Sequence, residues 1–87
     1  MREVDLQRKY RHSASDLARL TDLSLPRSTA LRRHLGLDED EDYRHVFVFD
    51  SQRIPRWSDS ALERMREAKE DLDMDEVWER HRPRRQH

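Results

Sequence analysis

The chain has 87 residues, 33% of them hydrophobic and 43% charged, with a net charge of −1 and no cysteine. At this length only about 60% of the unfolded surface can be buried, so a single thin core is all the chain can build. The absence of cysteine excludes a disulfide framework, a thiol nucleophile and a cysteine-type zinc finger, and no apolar run approaches the ~20 residues of a membrane span.

Charge is unevenly distributed. Residues 1–37 hold eight basic and four acidic side chains, net +4, and 38–42 (Asp-Glu-Asp-Glu-Asp) are wholly acidic, net −5. Residues 43–58 are net +2, 59–81 net −5, and the tail 82–87 net +3. Such segregation separates a basic face from acidic ones. The chain reads as soluble and cytoplasmic, since the start Met-Arg-Glu-Val-Asp lacks the apolar stretch of a signal peptide.

Residues 1–12 set Val4, Leu6 and Tyr10 among charges, a pattern open to a strand, a short helix or an arm on the core. From Ser13 the signals sharpen. Ser13 with Asp16 forms a capping box, and Ala14, Leu17, Ala18 and Leu20 follow as an apolar stripe at helical spacing. Asp22-Leu23-Ser24 then makes a turn, with Leu23 directed inward.

Ser24 to Leu37 carries both a start and a stop signal for a second helix. Ser24 caps it, Pro26 sits in the first turn where a missing N–H costs nothing, and Gly36 supplies the left-handed end. At 100° per residue Leu31 and Leu35 fall together with Ser28 beside them, while Thr29, Arg32 and Arg33 point away. Two short helices joined by a tight turn predict a helix-turn-helix whose second member, 25–35, can enter a DNA major groove. Free N–H groups at Ser24 to Arg27 could also hold a phosphate.

The acidic run 38–42 predicts a solvated loop or a surface that engages another protein. Its acids at 38, 40 and 42 imitate the start of a calcium-binding loop, but no glycine stands sixth and no glutamate twelfth, so neither metal nor cofactor is expected. Tyr43 to Asp50 is β-branched and aromatic, hence a strand; Asp50-Ser51-Gln52 is turn chemistry; Arg53 to Ser58 returns. Pro55 makes the return an edge strand. Trp57 reads as a core anchor, and Phe47 with Phe49 as the inward face of one strand.

Ser58 or Asp59 caps a long helix with Ala61, Leu62, Met65, Ala68 or Lys69, and Leu72 inward. Asp73 with Glu76 is a second capping box, so that helix breaks and restarts. Val77 and Trp78 then form an apolar patch on a short terminal helix, either packed internally or offered to a homodimer or another protein partner. The organisation predicted is an N-terminal element at 1–12, a main domain at 13–72, a terminal helix at 73–81 and a disordered basic tail at 82–87. Its class is mostly α with a small β-hairpin. The five histidines show no ligand spacing, and no Gly-rich phosphate loop or nucleophile constellation is present, so no enzymatic activity is expected.

The run Asp16-Leu-Ala-Arg-Leu…Leu25-Pro-Arg-Ser-Thr-Ala-Leu-Arg resembles helix-turn-helix segments of bacterial regulators, with Asp22 where a turn glycine is common. The order that follows, through Arg56-Trp-Ser-Asp-Ser-Ala-Leu, resembles the winged helices of the MerR and phage excisionase group over roughly residues 13–70. The resemblance implies a winged helix-turn-helix with a C-terminal helix that binds double-stranded DNA, as a transcription regulator or an excisionase-like architectural factor. It also implies contacts from Arg27, Ser28, Thr29, Arg32 and Arg33 on the second helix, and from Gln52, Arg53 and Arg56 on a wing near 50–56. The competing expectation is a protein-interaction module (an inhibitor, antitoxin or adaptor) that uses the acidic surfaces of the same scaffold.

Overall fold

Local capping chemistry sets where the helices begin in the computed structural model, which describes residues 2–83. Ser13 accepts from the Asp16 N–H while Asp16 accepts from the Ser13 N–H, opening α2 (Ala14–Leu20). Ser24 accepts from the Arg27 N–H and opens α3 (Leu25–Leu35), which Gly36 ends with φ of 69°. Ser58 opens α4 (Asp59–Asp71) through the Ala61 N–H, and Asp73 opens α5 (Met74–His81) through the Asp75 N–H. Between α2 and α3, Asp22 takes the left-handed backbone (φ 57°) that a turn glycine would adopt. Short polar side chains tolerate that region because they can hydrogen-bond locally.

The segment with ambiguous signals is helical as well: α1 spans Glu3–Lys9 and buries no residue of its own. It is tethered just beyond its end. Tyr10 is buried and donates its hydroxyl to the Glu41 carbonyl, and His12 exchanges main-chain hydrogen bonds with Trp57 at 3.0 and 2.8 Å.

The strands β1 (Arg44–Phe49) and β2 (Gln52–Trp57) form one antiparallel hairpin. Asp50 and Ser51, the two loop residues, both have positive φ, as a two-residue hairpin turn matched to strand twist requires. Phe49 therefore faces Gln52 across a hydrogen-bonded pair, and the alternation continues with Phe47/Ile54 and His45/Arg56. Pro55 falls at a position whose main chain points outward, where its missing N–H breaks no ladder bond.

The core joins α2, α3, β2, α4 and α5 around Leu17, Leu31, Leu37, Trp57, Leu62, Met65 and Val77. The molecule is thus mostly helical with one two-stranded antiparallel hairpin. Two expectations about apolar groups need correction. Phe49 is 68% exposed, and Phe47 is only half-buried, because α1 stands beside this face of the hairpin with Glu3 and Gln7 across an open cavity instead of packing on it. Conversely Val77 is 3% exposed and Trp78 half-buried against the core, so the patch left open to a partner packs internally on α3. The restart at Asp73 folds α5 back into the common core. No described helix is long and apolar enough to cross a membrane. Arg82 and Pro83 end the described chain, and the rest of the basic tail, 84–87, lies outside it.

Candidate nucleic-acid interface

The sequence predicts a broad cationic face on α3, and most of that face is already occupied. Arg32 is 5% exposed, with its guanidinium centred 4.2 Å from the Trp57 ring. Its Nη1 donates to Asp38 Oδ1 at 3.0 Å and its Nη2 to Thr29 Oγ1 at 3.0 Å. The same Asp38 oxygen accepts from Trp57 Nε1 at 3.0 Å, and Arg44 lies over the ring from 5.6 Å while donating to the Asp38 carbonyl. Burial pulls the Arg32 pKa down, and the Asp38 carboxylate opposes it by favouring the charged form. Arg32 is thus a lock between the end of α3 and the base of the hairpin, not a group free to read bases.

Ser28 is fully buried, which removes it from any DNA contact too. The clue was in the spacing. Position 32 is four residues after Ser28 and three before Leu35, both of which lie on the inner side of the helix. Its charge suggested solvent; its partners Asp38 and Trp57 lie outside the helix, where helical periodicity carries no information.

Arg27 is half-buried and committed to α5, with Nη1 2.9 Å from Asp75 Oδ1 and its guanidinium 5.9 Å from the Trp78 ring. The phosphate site expected at the start of α3 is also weaker than the sequence implies. Pro26 has no N–H, the Arg27 N–H is held by Ser24 Oγ, and the Ser28 N–H is held by the Ser24 carbonyl. Thr29 is half-buried and donates its hydroxyl to the Leu25 carbonyl at 3.0 Å. What faces solvent is one stripe, Pro26, Thr29 and Arg33, and Arg33 is exposed with no carboxylate partner among the described residues.

On the hairpin, Gln52 and Arg53 are exposed, and Arg53 too has no ion pair among the described residues. Arg56 is half-buried and donates to its neighbour's carbonyl, Pro55 O, at 3.1 Å. Strand alternation sends Gln52 and Arg56 to one face and Arg53 to the other. Of the predicted contact residues, the structure therefore leaves Arg33, Arg53 and Arg56 as available cations, at two places anchored to each other through Arg32, Asp38 and Trp57.

Two histidine contacts escaped sequence reasoning. His34 and His81 meet at 3.2 Å between α3 and α5. His12 Nε2 lies 2.6 Å from Asp59 Oδ1, and Arg11 reaches the same oxygen at 3.1 Å. A carboxylate only accepts, so the histidine nitrogen donates. That hydrogen bond, and then Arg11, hold the Asp59 carboxyl below the usual aspartate range. A carboxyl depressed in the folded state stabilises the fold above its unfolded pKa, about 3.9, and stops doing so as pH falls through the lower folded value. Asp59→Asn is accordingly expected to flatten the fall of melting temperature below about pH 4 relative to the parent chain. Identical acid profiles would remove this contact from the account. Among the described residues, no cluster of three His, Asp or Glu side chains is placed to hold a metal.

A family model described as a domain of unknown function, DUF8610, matches residues 9–83, and the chain belongs to that family. No curated protein and no solved structure matches it.

Proposed function

We propose that the protein binds double-stranded DNA as a small winged helix-turn-helix of the kind found in MerR-like regulators and phage excisionases, with no catalytic activity of its own. The observation that carries this reading is Arg33, an exposed guanidinium without a carboxylate partner among the described residues, on the outward stripe of the second of two helices joined by a tight turn. Arg33 and Thr29 would face base edges in the major groove, where an arginine can grip guanine through two hydrogen bonds. Gln52, Arg53 and Arg56 on the hairpin would touch the adjacent backbone, positioning the helix without reading sequence. Such a protein acts in the cytoplasm as a transcription regulator or as an architectural factor beside a recombinase.

Fluorescence anisotropy with a labelled random duplex tests this. With Arg53 and Arg56 as the phosphate contacts of one copy, log K is expected to fall with log[salt] at a slope near −2, about one per neutralised phosphate. Arg33→Ala should weaken binding to a selected site by roughly 5- to 150-fold, the equivalent of 1–3 kcal/mol for one good base contact, while leaving stability unchanged. Absence of duplex affinity at every salt concentration would instead favour a protein-interaction module. That second reading is supported by the exposed Val48 and Phe49 and by the acidic loop 38–42.

A further inference from the structure

The two edges of the hairpin are unlike. On β2 the outward-pointing main-chain groups belong to Arg53, Pro55 and Trp57: one carries a charged side chain, one lacks an N–H, and one is taken by His12. Charge, proline and coverage are the usual devices that keep an edge strand from pairing. On β1 the outward groups belong to Arg44, Val46 and Val48. The Arg44 N–H is held by the Asp40 carbonyl at 3.0 Å, whereas those of Val46 and Val48 meet no partner among the described residues. From Val46 to Phe49 the strand reads Val-Phe-Val-Phe, without charge or proline, and Val48 and Phe49 are 69% and 68% exposed. One edge is guarded, and the other is open and apolar.

We propose that two copies of this chain associate through the open edge of β1, antiparallel and centred on Phe47, to form one four-stranded sheet. The register follows from which groups are free. Centred on Phe47, Val46 lies opposite Val48 of the second copy and Val48 opposite its Val46, so every unpaired outward N–H and C=O of those residues finds a partner. Centring on Val46 would need the Arg44 N–H, already given to Asp40, and centring on Val48 would need Asp50, which leaves the strand with φ of 48°.

The strand is self-complementary in this register. Phe47 falls opposite its own equivalent, on the face that also carries Phe49 and Ile54. A two-fold contact demands that one patch complement itself, and this patch does. Cross-strand aromatic and β-branched pairs are units that stabilise such a junction.

The test needs no DNA, so its failure is separable from failure of the DNA reading. Analytical ultracentrifugation over a concentration series is expected to show a monomer–dimer equilibrium. Val48→Lys places an edge lysine at an exposed site and should raise the dimer dissociation constant at least ~tenfold, with an unchanged circular dichroism spectrum. Because the chain has no cysteine, Phe47→Cys and Phe49→Cys each provide a single thiol. Under mild oxidation the first should form a disulfide-linked dimer faster, although residue 49 is the more exposed. A parent chain that stays monomeric to millimolar concentration, a Val48→Lys dimer as tight as the parent's, or faster linkage at 49 would each overturn the proposal.

Discussion

Arg32→Ala is expected to destabilise the protein by about 3 kcal/mol or more, enough to leave much of so small a domain unfolded. The side chain is 5% exposed and holds three elements at once: Thr29 on α3, Asp38 after it, and Trp57 at the foot of the hairpin. Its removal leaves the Asp38 carboxylate without its cation in a half-buried site and strips the cation from the indole face. Breaking a buried pair typically costs about 3–5 kcal/mol, and the partial exposure of Asp38 argues for the lower end. Arg32→Lys keeps the charge but loses the planar stack and the fork of donors, so it should recover only part of the loss. Thermal melts of both variants check this. An unchanged melting temperature for Arg32→Ala would return Arg32 to the surface and the outward face of α3.

Leu31→Ala is expected to cost roughly 2–5 kcal/mol, the range for truncating a fully buried leucine. Leu31 is completely buried in a core that includes Leu17, Trp57, Met65 and Val77, and a thin core has little material with which to refill the space. The expected outcome is a melting transition lowered steeply or lost, read by circular dichroism. A transition at the parent temperature would show α3 turned the other way round. Together with Arg33→Ala, expected to be silent in stability, these two substitutions define the inner and outer faces of one helix.

The contrast among neighbours on α3 also shows how far the sequence could be read. Helix starts at Ser13, Ser24 and Asp73, the stop at Gly36, the turn at Asp50-Ser51 and the edge position of Pro55 are decided within a few residues of chain, so local chemistry is enough to find them. Leu31, Trp57 and Met65 were equally legible because apolar periodicity marks them. Arg32, Phe49 and Val77 were not, and for one reason: each is decided by what stands across from it. Arg32 is inside because Asp38 and Trp57 receive it, Phe49 is outside because α1 meets that face with the polar Glu3 and Gln7 across an open cavity, and Val77 is inside because α5 folds back along α3. The helical α1 was undecided for the same cause, since its anchors, Glu41 and Trp57, are far along the chain.

The reduced set of cations has a consequence for affinity. If DNA is held through the contacts proposed above, so few arginines per copy would release few counterions, and binding by one copy should be weak at physiological salt. Two copies joined through β1 would double the contacts and give the two-fold symmetry that paired half-sites require. Salt dependence measured on the parent chain and on Val48→Lys separates these contributions.

The most direct measurement is amide chemical-shift mapping of the ¹⁵N-labelled chain during titration with a short duplex at low salt. DNA binding through α3 and the hairpin predicts shifts concentrated at Thr29, Arg33, Gln52, Arg53 and Arg56, with Arg32 and Ser28 moving little. A spectrum that does not change, or shifts confined to the acidic loop 38–42 and the far side of α4, would contradict it.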